Sequence, residues 1–317
     1  MNFKPCAYRL TSIFTRSNLR EGSNKLSFDL HTFCGPTMAT TYHISFYGDA
    51  DGAELQRQVQ TELDIIEQEM SNWRATSDIM RLNQAPIGLW QTIPNRLFDV
   101  LSVAQDVHIL SQGAFDLNVN DLLSAWGFRQ NRIPNETLIN THLTKARLTQ
   151  AQVLELNADL KQARLLAPAA LDLSGIAKGY AVDQVAKVLM AFGVTHALVA
   201  IDGEIRAING QADGSPWHIG VETAHDTERS ITGMLELVDG SVASSGNYRH
   251  FHMINAQRFA HTMNPRTAAP VQAGPAAVTV LHQDCVYADA LATVFMVLDH
   301  ASGQRFAAQH GIDVIYP

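Results

Sequence analysis

Asp289 and Thr293 are the polar side chains in "ADALATVFMVL", a stretch of helical length from Ala288 to Leu298. At 100° per residue, Leu291, Val294, Phe295 and Leu298 form one apolar stripe, and Asp289 and Thr293 fall almost opposite it. Polar residues in that position usually face water. Here Met296 and Val297 flank them, and Ala288, Ala290 and Ala292 fill the sides. A helix this apolar all round should be buried. A buried, unpaired carboxylate is costly, so Asp289 needs a cation, a donor network or a raised pKa. A carboxylate and a hydroxyl at i, i+4 suit a hard cation such as Mg²⁺, which takes oxygen ligands and often substrate phosphates as well.

A second stretch, "LDLSGIAKGYAVDQVAKVL", runs from Leu171 to Leu189. It reads as a strand ending in Asp172, a Ser-Gly turn and a helix, with Ser174 as N-cap. Free backbone N–H groups at the helix start, with Lys178 in the first turn, suit a phosphate. The segment lacks GxxxxGK[ST] and GxGxxG, so it is neither a P-loop nor a dinucleotide fingerprint. In "RFAHTMNPRTAAPV", His261 has the chemistry of a general base near neutral pH. "SSGNYRHFH" and "GAFD" (residues 113–116) offer small residues and aromatics for close approach to a ligand, and Trp73 a flat stacking face. Each of these is common as plain structure; a lone histidine or tryptophan is more often core or surface than site.

Several elements must position these groups. Leu55, Val59, Leu63, Ile66 and Met70 mark one face of an amphipathic helix. Further helices fit residues 95–112, stopped by Gly113, and 176–192, stopped by Gly193. "KLSFDLHTFCGPTMATTYHISFYG" alternates like two strands about a Gly-Pro turn, and more strands fit "HALVAID", "WHIGVE", "MLELVD", "SVASSG", "AAVTVLH" and "IDVIYP". Strands and helices do not alternate regularly, which predicts an α+β fold: one domain of two intimately joined lobes with mixed or antiparallel sheets. Residues 1–25 read as a weakly ordered extension and 26–317 as the domain.

The 317 residues are 46% hydrophobic and 17% charged, the composition of a folded globular chain. A formal net charge of −8 argues against a nucleic-acid-binding surface. The cysteines Cys6, Cys34 and Cys285 form no CxxC pair, so a zinc knuckle is not indicated. No apolar run reaches the ~18–20 residues of a membrane span. The first thirty residues hold no apolar secretory core, so the chain reads as soluble.

In their order, these segments resemble the FAD:protein FMN transferase (ApbE-like) family, from about Gly35 to the C-terminus. "GPTMATTYHI", "EQEMSNWRATSDIMRLNQ", "GAFDLNVNDLLSAWGF", "LDLSGIAKGYAVD", "ASSGNYRHF", "HTMNPRTAAP" and "ADALATVFMVL" each match a family motif. Four positions depart from the pattern. Ala39 and Ala268 stand where the family has glycine, Asn264 replaces an aspartate, and Asp202-Gly203 replaces a glycine pair. The resemblance implies that FMN passes from FAD to a Ser or Thr hydroxyl of an acceptor flavoprotein, releasing AMP. It implies Mg²⁺ held by Asp289, Thr293 and the carbonyl of Gly175. FAD would be contacted by Met38, Trp73, Ala114, Phe115, Asp116, Asp172, Lys178 and Thr262. The candidate bases are His261 and, through the metal, Asp289. Two other readings fit the same residues: an FAD pyrophosphatase, in which water replaces the acceptor, and a non-catalytic flavin-binding protein.

Overall fold

A computed structural model describes residues 29–129, 133–222, 231–247, 251–254 and 257–317. The expected N-terminal extension lies outside them. The described chain opens with the hairpin β1 (Leu30–Thr37) and β2 (Thr40–Tyr47) and the helix α1 (Gly52–Met70). Then come α2 (Asp78–Asn83), β3 (Gln91–Thr92), α3 (Asn95–Leu110), α4 (Asn120–Ala125), α5 (Glu136–Thr144) and α6 (Gln150–Val153). The middle holds β4 (Leu154–Asn157), β5 (Gln162–Leu165), α7 (Ala177–Ala191), β6 (His196–Ile201) and β7 (Glu204–Ile208). Next are β8 (Trp217–Glu222), β9 (Ile231–Leu237), β10 (Gly240–Gly246), β11 (Phe251–Ile254), β12 (Gln257–Ala260), β13 (Met263–Asn264) and β14 (Ala269–Pro270). The chain closes with β15 (Ala277–His282), α8 (Cys285–Val297), α9 (His300–His310) and β16 (Asp313–Ile315).

The α+β reading holds. Seven strands form one sheet in the order β1-β2-β6-β7-β10-β15-β16, every neighbouring pair antiparallel. α7 and α8 cover its middle strands, with α1 beside α7 and β1, and α3 on α8. The periodicity of α1 is realised: Leu55, Val59, Leu63, Ile66 and Met70 are all buried. Asp51 caps its start, accepting from Ala53 N–H at 3.0 Å. Each such aliphatic side chain contributes about 1.5–3 kcal/mol on burial.

β7 shows why the sheet has two different faces. Alternation sends Glu204, Arg206 and Ile208 towards the helices, while Ile205 and Ala207 face the other way and pack with Trp217, Ile219 and Leu237 of the β8–β9 hairpin. A further apolar cluster gathers Leu122, Ala125, Trp126, Ile139, Met263 and Ala268 from α4, α5 and the loops around β13 and β14. This is a satellite core, separate from the main one.

The first hairpin departs from expectation. Its turn is not at Gly35-Pro36, which lie inside β1, but at Met38-Ala39, with φ of 46° and 60°. Pro36 is tolerated because β1 is a sheet edge. Gly35 is required because the Tyr42 ring lies across it: a Cβ there would fall 2.6 Å from the Tyr42 hydroxyl. Ala39 and Ala268 (φ 56°) keep the left-handed backbone that the family's glycines would take. For an L-residue this costs about 1–2 kcal/mol, partly offset because alanine also has less freedom when unfolded. Ala39 is exposed, so Ala39→Gly is expected to stabilise the protein by about 0.5–1 kcal/mol. Urea denaturation measures this; an unchanged or lowered midpoint would show that the turn is unstrained.

Candidate active site

The site starts from the segment leading into α7. Three asparagines fasten it. Asn72 and Asn83 both donate to the Leu171 carbonyl, at 2.8 and 2.9 Å. Their own carbonyls accept from Leu173 N–H at 2.9 Å and Leu171 N–H at 2.8 Å. Asn118 accepts from Ala170 N–H at 2.9 Å. Asn72 and Asn83 sit in the quoted "EQEMSNWRATSDIMRLNQ", but their role as clamps on a segment about a hundred residues away was invisible there. Ser174 does not cap α7 as expected. The N-cap position falls at Ile176, and Ser174 instead donates from its N–H to Asp172 at 2.8 Å.

The α7 N-terminus is capped from α8. Asp289, 3% exposed, accepts from Gly179 N–H at 2.9 Å through Oδ2. That N–H lies in the first turn and has no intrahelical partner. In return Asp183 of α7 accepts from Cys285 N–H at 3.1 Å and Val286 N–H at 2.9 Å, the start of α8. Gly179 makes this approach possible, because a Cβ there would run into the Cys285 carbonyl and lie 2.7 Å from Asp289 Cβ. Gly175 is as close to Thr293: its Cβ would fall 2.8 Å from Thr293 Oγ1.

Oδ1 of Asp289 accepts from no group among the described residues. Burial pushes the Asp289 carboxyl up to about 6. Thr293 and Gly175 line the same cavity and lie close to each other, and a set of the Asp289 carboxylate, the Thr293 hydroxyl and the Gly175 carbonyl would be all oxygen, which fits Mg²⁺. Among the described residues no three His, Cys, Asp or Glu side chains converge on one point. Such an ion would therefore rely on neutral oxygens and ligand phosphates for the rest of its shell.

Lys178 follows one residue before Gly179. Its ammonium meets Glu204 at 2.7 Å and Asp202 at 3.2 Å. Burial alone would lower its pKa, but the charges of Glu204, Asp289 and Asp202 more than offset this and hold it above its ordinary value. Burial also drives Glu204 up to about 8, against the pull of Lys178. Glu204 was missed by sequence reasoning; the signal available was the inward phase of "GEIRAI". Asp202, where the family has glycine, has φ 55° and keeps the left-handed turn.

These groups open on one cavity of about 670 Å³, within the usual range for small-molecule sites. Its wall includes His261, Trp73, Ala114, Asp116, Asp172, Lys178, Thr262, Gly175, Asp289 and Thr293, as well as Glu204 and Arg129. Met38 and Phe115 are not on it. Met38 packs on the main core from the β1–β2 turn, and Phe115 is 3% exposed beneath the Gly175 turn. Asp116 ties the wall together, accepting from Asn118 N–H at 2.7 Å and Gln150 N–H at 3.0 Å. Trp73 is 52% exposed, with the Arg129 guanidinium over its ring at 5.1 Å. Thr262 donates to Asn247 at 2.6 Å. Asn264 accepts from Arg266 N–H at 3.0 Å, a local turn contact its amide oxygen makes as an aspartate could.

The ApbE family model matches residues 38–316. The FAD:protein FMN transferase of Vibrio cholerae is 32% identical over 301 residues, covering 94% of this chain and 90% of that protein. The Salmonella typhimurium enzyme of the same name is 28% identical, covering 88% and 82%. Among solved structures, the flavin transferase ApbE from Vibrio cholerae superposes with a TM-score of 0.81 at 31% identity, covering 91% of this chain and 93% of that one. The apo flavinyl transferase ApbE of Pseudomonas stutzeri gives 0.78 at 33% identity, covering 90% of each. The chain belongs to the ApbE family.

The raised Glu204 carboxyl makes stability pH-dependent. An acid whose folded pKa exceeds its unfolded one binds more protons when folded, so stability falls as pH rises between the two values. For Glu204 the window runs from about 4.5 to about 8. Between pH 5 and 8 the metal-free wild type is expected to lose stability relative to Glu204→Gln, measured by denaturation across pH. A constant difference between the two proteins would mean that Glu204 is ionised throughout.

Proposed function

We propose that the chain transfers FMN from FAD to a Ser or Thr hydroxyl of an acceptor flavoprotein, in a Mg²⁺-dependent reaction that releases AMP. The observation that carries this reading is the shared cavity wall of Asp289, Thr293, Gly175, Lys178 and His261, in a chain of the ApbE family. The transferase names of its relatives support the substrate.

In this reaction one P–O bond forms, from the acceptor oxygen to the FMN phosphorus, and the P–O–P link to AMP breaks. No electrons are exchanged. His261 accepts the hydroxyl proton at an imidazole nitrogen. Lys178, kept protonated by Glu204 and its other acidic neighbours, sets a positive charge against the phosphates. Asp289, Thr293 and the Gly175 carbonyl would hold Mg²⁺, which when bound supplies charge neutralisation at the phosphates. Trp73 gives the isoalloxazine a flat surface.

Mixed with FAD, Mg²⁺ and an acceptor protein, the chain should add the mass of FMN to the acceptor and release an equal amount of AMP. EDTA should abolish labelling, and Asp289→Ala should slow it about 100-fold or more. Labelling that persists through both treatments would remove the metal from the mechanism. FMN and AMP released without any adduct would make the chain a pyrophosphatase, and tight FAD binding with neither would make it a carrier.

A further inference from the structure

Arg129 follows directly on the "WGF" of a quoted motif and is held inside the cavity. Its side chain is 12% exposed. Nε donates to Asn120 at 2.8 Å, and Nη2 donates to Ser174 at 3.1 Å and pairs with Asp172. The guanidinium plane lies over Trp73. Nη1 has no partner among the described residues.

The charge of the cavity gives this free edge a purpose. Asp116, Asp172, Asp202, Glu204, Glu222 and Asp289 line it, and the permanent cations among the described lining residues are Lys178 and Arg129. Lys178 is committed to Glu204 and Asp202. Arg129 faces one carboxylate, and its other contacts are neutral: an amide, a hydroxyl and a ring. A ligand bringing phosphate charges into so acidic a cavity needs a cation with unused donors. A guanidinium held by packing and hydrogen bonds offers one without further ordering cost. Through Ser174 it also sits beside the turn that leads to α7 and Lys178.

We propose that Arg129 binds a phosphate oxygen of the nucleotide substrate through Nη1, as a second cation beside Lys178. The inference rests on the substrate being a phosphate-bearing flavin nucleotide.

The test compares the wild type with Arg129→Gln, which retains hydrogen-bonding capacity but loses the charge, and with Arg129→Lys. FAD and riboflavin binding are followed by flavin fluorescence, and inorganic pyrophosphate binding by calorimetry. Circular dichroism checks folding. Arg129→Gln should weaken FAD and pyrophosphate about tenfold or more, the loss of a charge-assisted hydrogen bond, and leave riboflavin within about twofold. Arg129→Lys should recover part of the loss, and it serves alone should the glutamine variant fail to fold. Equal weakening of FAD and riboflavin would make Arg129 a support for Trp73 and overturn the proposal. So would unchanged or tighter FAD binding, the latter marking the guanidinium as a plug over the ring. A wild type that binds pyrophosphate but not FAD would sink the flavin reading while leaving Arg129 to be judged on pyrophosphate.

Discussion

The close crossing of α7 and α8 is the contact on which the rest of the site depends. Each helix presents a carboxylate to the other's N-terminus, Asp289 to Gly179 and Asp183 to Cys285 and Val286. Orphan N–H groups at two helix starts are thereby satisfied by buried charge, and both macrodipoles favour the arrangement. The exchange needs backbone-to-backbone approach, which Gly179 alone permits at that point. Every ligand group considered for a cation, and the lysine for phosphate, is carried on one of these two helices or on the turn before α7.

The sheet tunes what the helices present. β7 alternates a buried glutamate and an arginine towards α7, where they meet Lys178 and Asp183. Lys178 stays charged among its acidic neighbours, while burial, against the pull of Lys178, keeps Glu204 reluctant to ionise. The same strand turns Ile205 and Ala207 to the opposite face, where the β8–β9 hairpin covers them. One strand therefore sets electrostatics on one side and packing on the other, a consequence of the two-residue period.

Much of this was legible in the sequence. The periodicities of α3 and α7 placed them to within two residues, those of α1 and α8 to within three, and the burial of α8 followed from its lack of a polar face. Asp289 could be flagged because a carboxylate on a wholly apolar helix demands a partner. Partners contributed by distant segments could not be read. Asn72 and Asn83 look like ordinary loop and helix-end residues until Leu171 is laid between them. Arg129 has no local pattern that distinguishes it from a surface charge, and Glu204 only the inward phase of its strand. The Met38-Ala39 turn was missed because Gly-Pro is the stronger turn signal, and here the Tyr42 ring, not a turn, requires the glycine. Ser174 does not cap α7 because its hydroxyl is engaged by Asp172 and Arg129, and the N-cap position falls two residues later.

The Leu171 clamp has a consequence in time. Its partners come from Asn72 and Asn83 on one side and Asn118 on another, and the groups they orient face Glu204, His261 and Asp289. Contacts of such sequence separation close late, since loop closure must be completed before they return any stabilisation. As the chain emerges from the ribosome, the helix bearing Asp289 comes among the last of the described elements. Until it docks, the α7 start lacks its Asp289 cap and the cavity the lining that α8 supplies. The site is therefore a report on completed folding: a partly made chain carries the clamp residues, the lysine and the stacking ring, yet nothing for them to close around.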